Sequence, residues 1–342
     1  MLEGLSAAAF AIGADTAFIG IKGKFTEARQ RIEHATAELS AAGLLGELEV
    51  QIVAGPDDYL FGEEKGLLEV IEGKDPLPRL FPPYVTGLFE EPGGEPQPAL
   101  VNNVETLANV PHVLERGTDW FRSLGTEKSP GTMVCTAGGN TALDIVAEIE
   151  LGAPLRGLLE LAGGIEGTNT YIVLNGVSNA PLTADGLSVP ISFEGMKGAG
   201  SALGSAGFAF YDDRVCAVQV AAAASAFLYR GSCGQCPSCK LGTEAIAERF
   251  VALTIGAGRL EEVNEIAAWT QCITDSNRCG LGAGQQTLAA GFLEHFAEDV
   301  AHHAGGAECD RAPISITTIA DWDEEAAQFT YSPPVGTDAP GG

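Results

Sequence analysis

The order of apolar and polar residues changes period several times along the chain. Residues 16–22 form a short apolar run that predicts a strand, residues 26–42 carry apolar positions returning every three or four residues and predict an amphipathic helix, and residues 48–53 predict a second strand. Strand, helix, strand at this spacing is a βαβ unit, so the first part reads as α/β with parallel pairing. The stretch 74–100, with Pro82-Pro83 and Pro92-Gly93-Gly94, reads as an ordered loop or extended arm.

A second pattern begins at Thr132. An apolar strand to Thr136, the turn Gly138-Gly139-Asn140, a strand over 142–150, a short helix over 154–162 and a strand over 171–175 suggest a small β-grasp-like module. Beyond Asp213 the period becomes helical, with helices predicted at 214–229, 242–256, 259–271 and 283–303, joined by short connections. Past Gly305 the chain is acidic, ends in Pro and Gly, and carries no period, which reads as a linker or surface extension.

Composition narrows the classes. The chain has 342 residues, enough for two or three domains with real cores. Its formal net charge of -27 argues against nucleic acid as a partner, because binding a polyanion relies on Lys and Arg at phosphates. The longest quasi-apolar run, Val215 to Tyr229, is too short and too Ala-rich to span a bilayer, and no basic leader precedes an apolar stretch. The expectation is a cytoplasmic protein, placed at most at the periphery of a membrane complex.

The candidate chemistry lies in Cys233-Gly-Gln-Cys236-Pro-Ser-Cys239. Three thiolates at C-x2-C-x2-C spacing can wrap one face of an iron-sulfur cube. A bacterial ferredoxin places its fourth Cys four residues on, where this chain has Thr243, so the fourth thiolate comes from farther away: Cys272 or Cys279. In an up-down bundle the connection holding Cys279 falls at the same end as the three-cysteine turn, whereas Cys272 falls on an apolar helix face and reads as a packed thiol. Structural zinc is the alternative, but zinc sites take two separated ligand pairs and the second pair is missing here. A disulfide framework does not suit eight irregularly spaced Cys in a long chain without a leader. Cys135 and Cys216 read as core, Cys309 as an exposed thiol, and His302-His303 as a helix C-terminal cap. Arg230 either caps a helix or offsets the charge of a cluster.

These residues carry a family likeness. The cysteine turn continuing into Lys240-Leu-Gly-Thr243, with Cys279-Gly-Leu-Gly some forty residues later, resembles the cluster domain of the NADH-oxidising flavoprotein component of respiratory complex I. The same module occurs in diaphorase subunits of NAD-linked hydrogenases and formate dehydrogenases. Upstream, Tyr59-Leu-Phe-Gly62-Glu63-Glu64 resembles the family's Y-x-x-G-E-E loop, Pro78-Arg79 with Pro82-Pro83 its P-R-x-K-P-P element, and Val101-Asn102-Asn103-Val104-Glu105-Thr106 its V-N-N-V-E-T stretch.

The resemblance implies a partial Rossmann-like flavin domain over 1–125, a small β-grasp module over 130–195, a C-terminal four-helix bundle carrying an iron-sulfur cluster over 208–305, and an acidic tail over 306–342. It implies a [4Fe-4S] cluster on Cys233, Cys236, Cys239 and Cys279. FMN and NAD(H) are implied near Tyr59, Gly62, Glu63, Glu64, Asn102, Asn103 and Thr106, and other redox subunits as partners. For Glu63 and Glu64 the simpler reading is an acidic first helical turn, and for the Asn pair a helix cap. The chain departs from the pattern where the family has G-R-G-G-A-G-F, whose amides cradle the flavin phosphate. No such loop occurs here, Phe81 stands where Lys is usual, and Lys65 where Thr is usual. Either an upstream segment or a partner chain then completes a flavin site, or the chain is a flavin-free iron-sulfur relay, or the cluster is purely structural. Gly198-Ala-Gly200-Ser-Ala-Leu-Gly204 has the wrong spacing for a dinucleotide fingerprint and reads as a connector.

Overall fold

A computed structural model describes residues 1–89, 94–309, 311, 314, 316–323, 326 and 328–332. It divides into two units, Met1–Phe121 and Arg122–Gly342. Pro92 and Gly93 of the Pro/Gly-rich arm lie outside the described residues, as do several residues of the tail and all of 333–342.

The first unit is built on α1 (Leu2–Ile12), β1 (Thr16–Lys22), α2 (Thr26–Ala41), β2 (Glu49–Gly55) and α3 (Glu64–Ile71). β1 and β2 pair in parallel, Thr16 opposite Glu49 through Lys22 opposite Gly55, so the βαβ reading holds. Between β2 and α3, residues Tyr59–Gly62 make one tight turn that sends Leu60 and Phe61 inward and leaves Tyr59 and Gly62 facing solvent. The Phe61 ring lies directly on Gly55, where a Cβ would displace it, and Leu67 lies directly on Gly20, with a Cβ there 2.3 Å from its Cδ1. After α3, among the described residues, the arm contains only the two-residue pair β3 (Leu88–Phe89) and β4 (Pro96–Gln97), and the unit closes with α4 (Val104–Arg116) and α5 (Thr118–Arg122).

Arg79 ties the arm to α3. Its Nε donates to Glu69 Oε1 at 2.8 Å, a second guanidinium nitrogen lies 3.1 Å from Glu72 Oε2, and a third donates to the Gly87 carbonyl at 2.5 Å. Side chain and partners are nearly buried, so the fork holds the loop by charge-assisted hydrogen bonds rather than by apolar area.

The second unit contains β5 (Thr132–Gly139), β6 (Ile145–Glu150), α6 (Leu155–Leu161), β7 (Thr170–Asn175), β8 (Leu182–Thr183), α7 (Phe193–Gly198) and β9 (Gly207–Asp212). The strands form one sheet in the order β6-β5-β9-β7-β8, with β5 parallel to β9 and the other neighbours antiparallel. The central strand β9 lies beyond 195; its alternating Phe208 and Phe210 are buried in the core that Leu155 and Leu158 of α6 complete. Gly139 reaches φ +105° as β5 passes the Phe210 backbone, where a Cβ would sit 2.5 Å from the Phe210 carbonyl oxygen.

Helices follow: α8 (Ala217–Gly231), α9 (Pro237–Thr254), α10 (Leu260–Trp269), α11 (Leu281–His295) and α12 (Ala297–Ala304). Two corrections to the expected four-helix pattern stand out. The last helix is interrupted at Phe296 (φ -123°, ψ 36°), giving five segments. α9 begins five residues before the expected 242, because Pro237 at its first position is preset for helical φ and needs no amide partner there. In the tail, β10 (Ile319–Asp323) and β11 (Gln328–Tyr331) pair antiparallel, and Tyr331 donates to Asp144 Oδ2 at 2.8 Å.

Sheet and helices share one unit because α11 turns a glycine face toward residues 178–181. A Cβ at Gly284 would meet Ser178 at 2.6 Å, and one at Gly291 would meet Ala180 at 2.7 Å. The buried Gln285 Nε2 donates to Ser225 Oγ on α8 at 3.0 Å, which fixes the two helices in register.

Within the first unit, Gly4 of α1 sits directly on the Leu107 carbonyl of α4, with no room for a Cβ. Ala is favoured over Gly in a helix by about 1 kcal/mol, yet overpacking typically costs about 1–3 kcal/mol. Gly4→Ala is therefore expected to lower stability by up to about 2 kcal/mol, read as a lower urea midpoint for the first unit. An unchanged or higher midpoint would show that α1 does not pack on α4 in this way.

Candidate iron-sulfur site

Two connections meet at one place. The first, between α8 and α9, carries Cys233, then Cys236 at the position preceding α9, then Cys239 in that helix's first turn. The second, between α10 and α11, ends in Cys279, immediately before the Gly280 cap of α11. Ser238 Oγ donates across the gap to the Asp275 carbonyl at 2.5 Å and lies 3.1 Å from Asn277 Oδ1. The Arg278 amide donates to Cys236 Sγ at 3.3 Å, and its guanidinium donates to Gln235 Oε1 at 2.9 Å. Gly242 leaves space for Ile273, which packs where a Cβ would be, 2.7 Å away. Residues some forty apart in sequence are thus clasped by polar contacts on one side and an apolar contact on the other.

The thiols sit in a graded environment. Cys236 and Cys239 are buried, while Cys233 and Cys279 are half-buried. Burial pushes the Cys239 thiol up, the Ser232 hydroxyl 3.6 Å away opposes this, and the nearby Cys279, Cys236 and Cys233 push it up further. The sulfurs of Cys233, Cys236 and Cys239 each have a polar neighbour, respectively Gln235 Nε2 at 3.5 Å, the Arg278 amide and Ser232 Oγ. Such donors favour the thiolate form, which is the form that ligates metal. The donor set therefore fits a thiolate-held cluster.

Sequence reading missed the clasp. Arg278, Ser238, Gln235 and Ser232 carry no motif of their own, and only their spacing to the cysteines could have singled them out. Arg230 lies exposed in the last turn of α8. The Cys272 thiol lies in the turn after α10, 3.8 Å from the Trp269 carbonyl and 3.9 Å from that of Ala268.

In the first unit the expected cofactor residues are positioned by helix starts. Glu63 precedes α3, and its Oε2 accepts from the amides of Lys65 and Gly66, both at 2.9 Å, while Lys65 Nζ stands 3.5 Å from Oε1. Asn103 precedes α4, and its Oδ1 accepts from the Glu105 amide at 2.8 Å. These two side chains do the capping that the simpler reading assigns them. Tyr59, Gly62, Glu64, Asn102 and Thr106 face solvent.

An α/β unit, a mixed sheet and a helical segment with a gathered thiol set define a component of an iron-sulfur oxidoreductase. The profile of the Nuo51 FMN-binding domain matches residues 1–112, and that of the NADH-ubiquinone oxidoreductase-F iron-sulfur binding region matches residues 219–303. The chain is 34% identical over 333 residues to the NADH-quinone oxidoreductase F protein of Mycobacterium bovis, spanning 94% of this chain and 74% of that relative. The corresponding protein of Streptomyces coelicolor is 34% identical over 339 residues, with 96% and 74% covered. The chain belongs to the NADH-quinone oxidoreductase F family, whose members are electron-transfer components of oxidoreductases with FMN-binding and [4Fe-4S]-binding regions. In structure it is similar to a chain of an NAD+-reducing [NiFe]-hydrogenase in the H2-reduced state, with TM-score 0.78, 27% identity and 92% of this chain covered. It spans about half (53%) of that hydrogenase chain.

Two outcomes test the site. Cys279→Ser is expected to lower the iron content of the purified protein, and Cys272→Ser to leave it unchanged; equal iron loss from both would mean that the fourth thiolate is misassigned. Ser232→Ala removes a hydrogen-bond donor worth about 0.5–1.5 kcal/mol, so the cluster potential should fall by about 20–60 mV for one electron. An EPR-monitored redox titration reads this shift, and an unchanged potential would show that the hydroxyl does not point at the sulfur.

Proposed function

We propose that the chain is an electron-transfer component of the NADH dehydrogenase/diaphorase type, passing electrons from NADH through FMN to a [4Fe-4S] cluster and on to a partner redox protein. The observation that carries this reading is the clasp of the two inter-helix connections around Cys233, Cys236, Cys239 and Cys279. When bound, flavin accepts hydride from nicotinamide and the cluster takes electrons one at a time.

The chain's own residues supply placement and tuning. The four cysteines hold the cluster. The Arg278 amide, Ser232 hydroxyl and Gln235 amide lie against three of the sulfurs and offset their negative charge, and burial of Cys236 and Cys239 keeps water from that side. In the first unit, Asn102 and Thr106 offer hydrogen-bonding groups for the polar edge of a flavin. Tyr59, Gly62 and Glu64 line the exposed side of the turn whose inner side anchors Phe61. Glu63 and Asn103 contribute by fixing the starts of α3 and α4.

The module over residues 130–195 reads as β-grasp, a reading supported by the parallel pairing of its β5 with the following strand β9. Residues 208–305 read as the cluster domain and 1–125 as the flavin-type domain, with 306–342 a tail. Partners are other redox subunits, together with a second chain that brings a flavin phosphate cradle. A cytoplasmic location at the edge of a membrane complex is consistent with this, since among the described residues no helix is long and apolar enough to cross a membrane.

A second reading, a flavin-free relay or docking module, is favoured by one observation: Glu63 Oε2 and Asn103 Oδ1 already accept from backbone amides, and Glu63 Oε1 faces Lys65 Nζ. The visible spectrum of the purified chain, with and without FMN and a candidate partner, separates the two. Flavin absorption beside the cluster band, bleached by NADH, is the expected result. Cluster absorption that neither FMN nor a partner alters, and that NADH leaves untouched, would replace the first reading with the second.

A further inference from the structure

Away from the cysteine turn, Cys216, His303 and Cys309 bring two sulfurs and an imidazole nitrogen within 4.8 Å of one another. Cys216 is the residue preceding α8, His303 lies in the last turn of α12, and Cys309 follows in the chain beyond it. By sequence they read as a core thiol, a helix cap and an exposed thiol. The fold instead gathers them: Cys216 and His303 are buried, Cys309 is half-buried, and Cys216 Sγ lies 3.3 Å from His303 Nε2.

The imidazole is oriented as a ligand would be. His303 Nδ1 lies 3.1 Å from the Ala307 carbonyl oxygen. A carbonyl only accepts, so Nδ1 carries the proton, and in the neutral ring the lone pair then sits on Nε2, the nitrogen aimed at Cys216. Metal-bound histidines show the same arrangement, one ring nitrogen on the ion and the other donating to a carbonyl or carboxylate. The spacing suits one ion as well. Tetrahedral zinc, with sulfur at about 2.3 Å and nitrogen at about 2.0 Å, sets its ligand atoms about 3.5–3.8 Å apart, which small side-chain adjustments reach from here.

We propose that Cys216, His303 and Cys309 form a binding site for a single zinc ion, distinct from the iron-sulfur ligands, that fastens the chain after α12 to the start of α8. Two sulfurs and one imidazole are a borderline-soft donor set that suits zinc and does not suit magnesium or calcium. Three protein ligands leave a fourth position for water or a further group. The surroundings already hold these segments together without the ion. The Cys309 amide donates to the Thr254 carbonyl at 3.1 Å, Gln219 Nε2 donates to the Arg311 carbonyl at 3.1 Å, and Arg311 donates to the Val215 carbonyl at 2.5 Å. The ligands are therefore preplaced, and an ion would lock an existing contact rather than create one. The site does not depend on the flavin or the cluster, so its failure leaves the proposed function untouched.

The test is metal analysis of the full chain, with its cluster loaded, after exposure to zinc and removal of loose metal. The expected result is about one zinc per chain in addition to the cluster iron. Cys309→Ser and His303→Ala should lose that zinc and keep their iron, while Cys309→His, which preserves a ligand, should retain both. X-ray absorption at the zinc edge should give two sulfurs at about 2.3 Å with nitrogen at about 2.0 Å. Should the variants fold poorly, protection of Cys309 from alkylation by added zinc in the unaltered chain gives the same answer. Absence of zinc from the unaltered chain, retention of zinc in Cys309→Ser, or a Cys216–Cys309 disulfide found by peptide mapping would each overturn the proposal.

Discussion

The contact on which the second unit depends is the short polar seam between the two inter-helix connections. Ser238 reaches the Asp275 carbonyl and Asn277, Arg278 returns to Cys236 and Gln235, and Ile273 fills the space above Gly242. Each of these bonds is worth about 1 kcal/mol by itself. Together they hold two thiol-bearing segments near each other before any cluster is present, so that less chain entropy remains to be lost when metal arrives. The sulfur-facing donors have a second effect, because the groups that position the thiols also stabilise their negative charge.

The first unit solves a different problem. Two parallel strands are a narrow platform, and the described structure stiffens it with small residues under large ones: Gly20 beneath Leu67, Gly55 beneath Phe61, Gly4 beneath α4. The turn Tyr59–Gly62 divides its side chains by face, and the Glu63 cap that follows fixes the direction in which α3 leaves. Arg79 then holds the Pro/Gly-rich arm by its guanidinium fork.

Much of this was legible beforehand, for identifiable reasons. Alternating and helical periods located β1, α2, β2, β5, β6, α6 and β7 to within a few residues, because those periods are written in the residue order itself, even in α2 and β2, none of whose residues is fully buried. The three clustered cysteines announced themselves by spacing. What escaped were features set by tertiary contact or by a single local residue. α1 is Ala-rich with little contrast between faces, and β9 carries its Phe208/Phe210 alternation in only six residues. Pro237 moved a helix start, and Phe296 broke one that looked continuous. Arg278 became part of the site only because α10 and α11 return it to Gln235. Cys216 and His303, 87 residues apart, have no shared pattern that could have paired them.

One consequence follows from the glycine face of α11. The helix begins one residue beyond Cys279 and, through Gly284 and Gly291, lies against the segment 178–181 that leads into β8, closer than any side chain would permit. Ridge-to-backbone contact at this distance allows little sliding or swivel. A displacement of Cys279 would therefore be passed along α11 to the segment leading into β8 rather than taken up by a loose hinge.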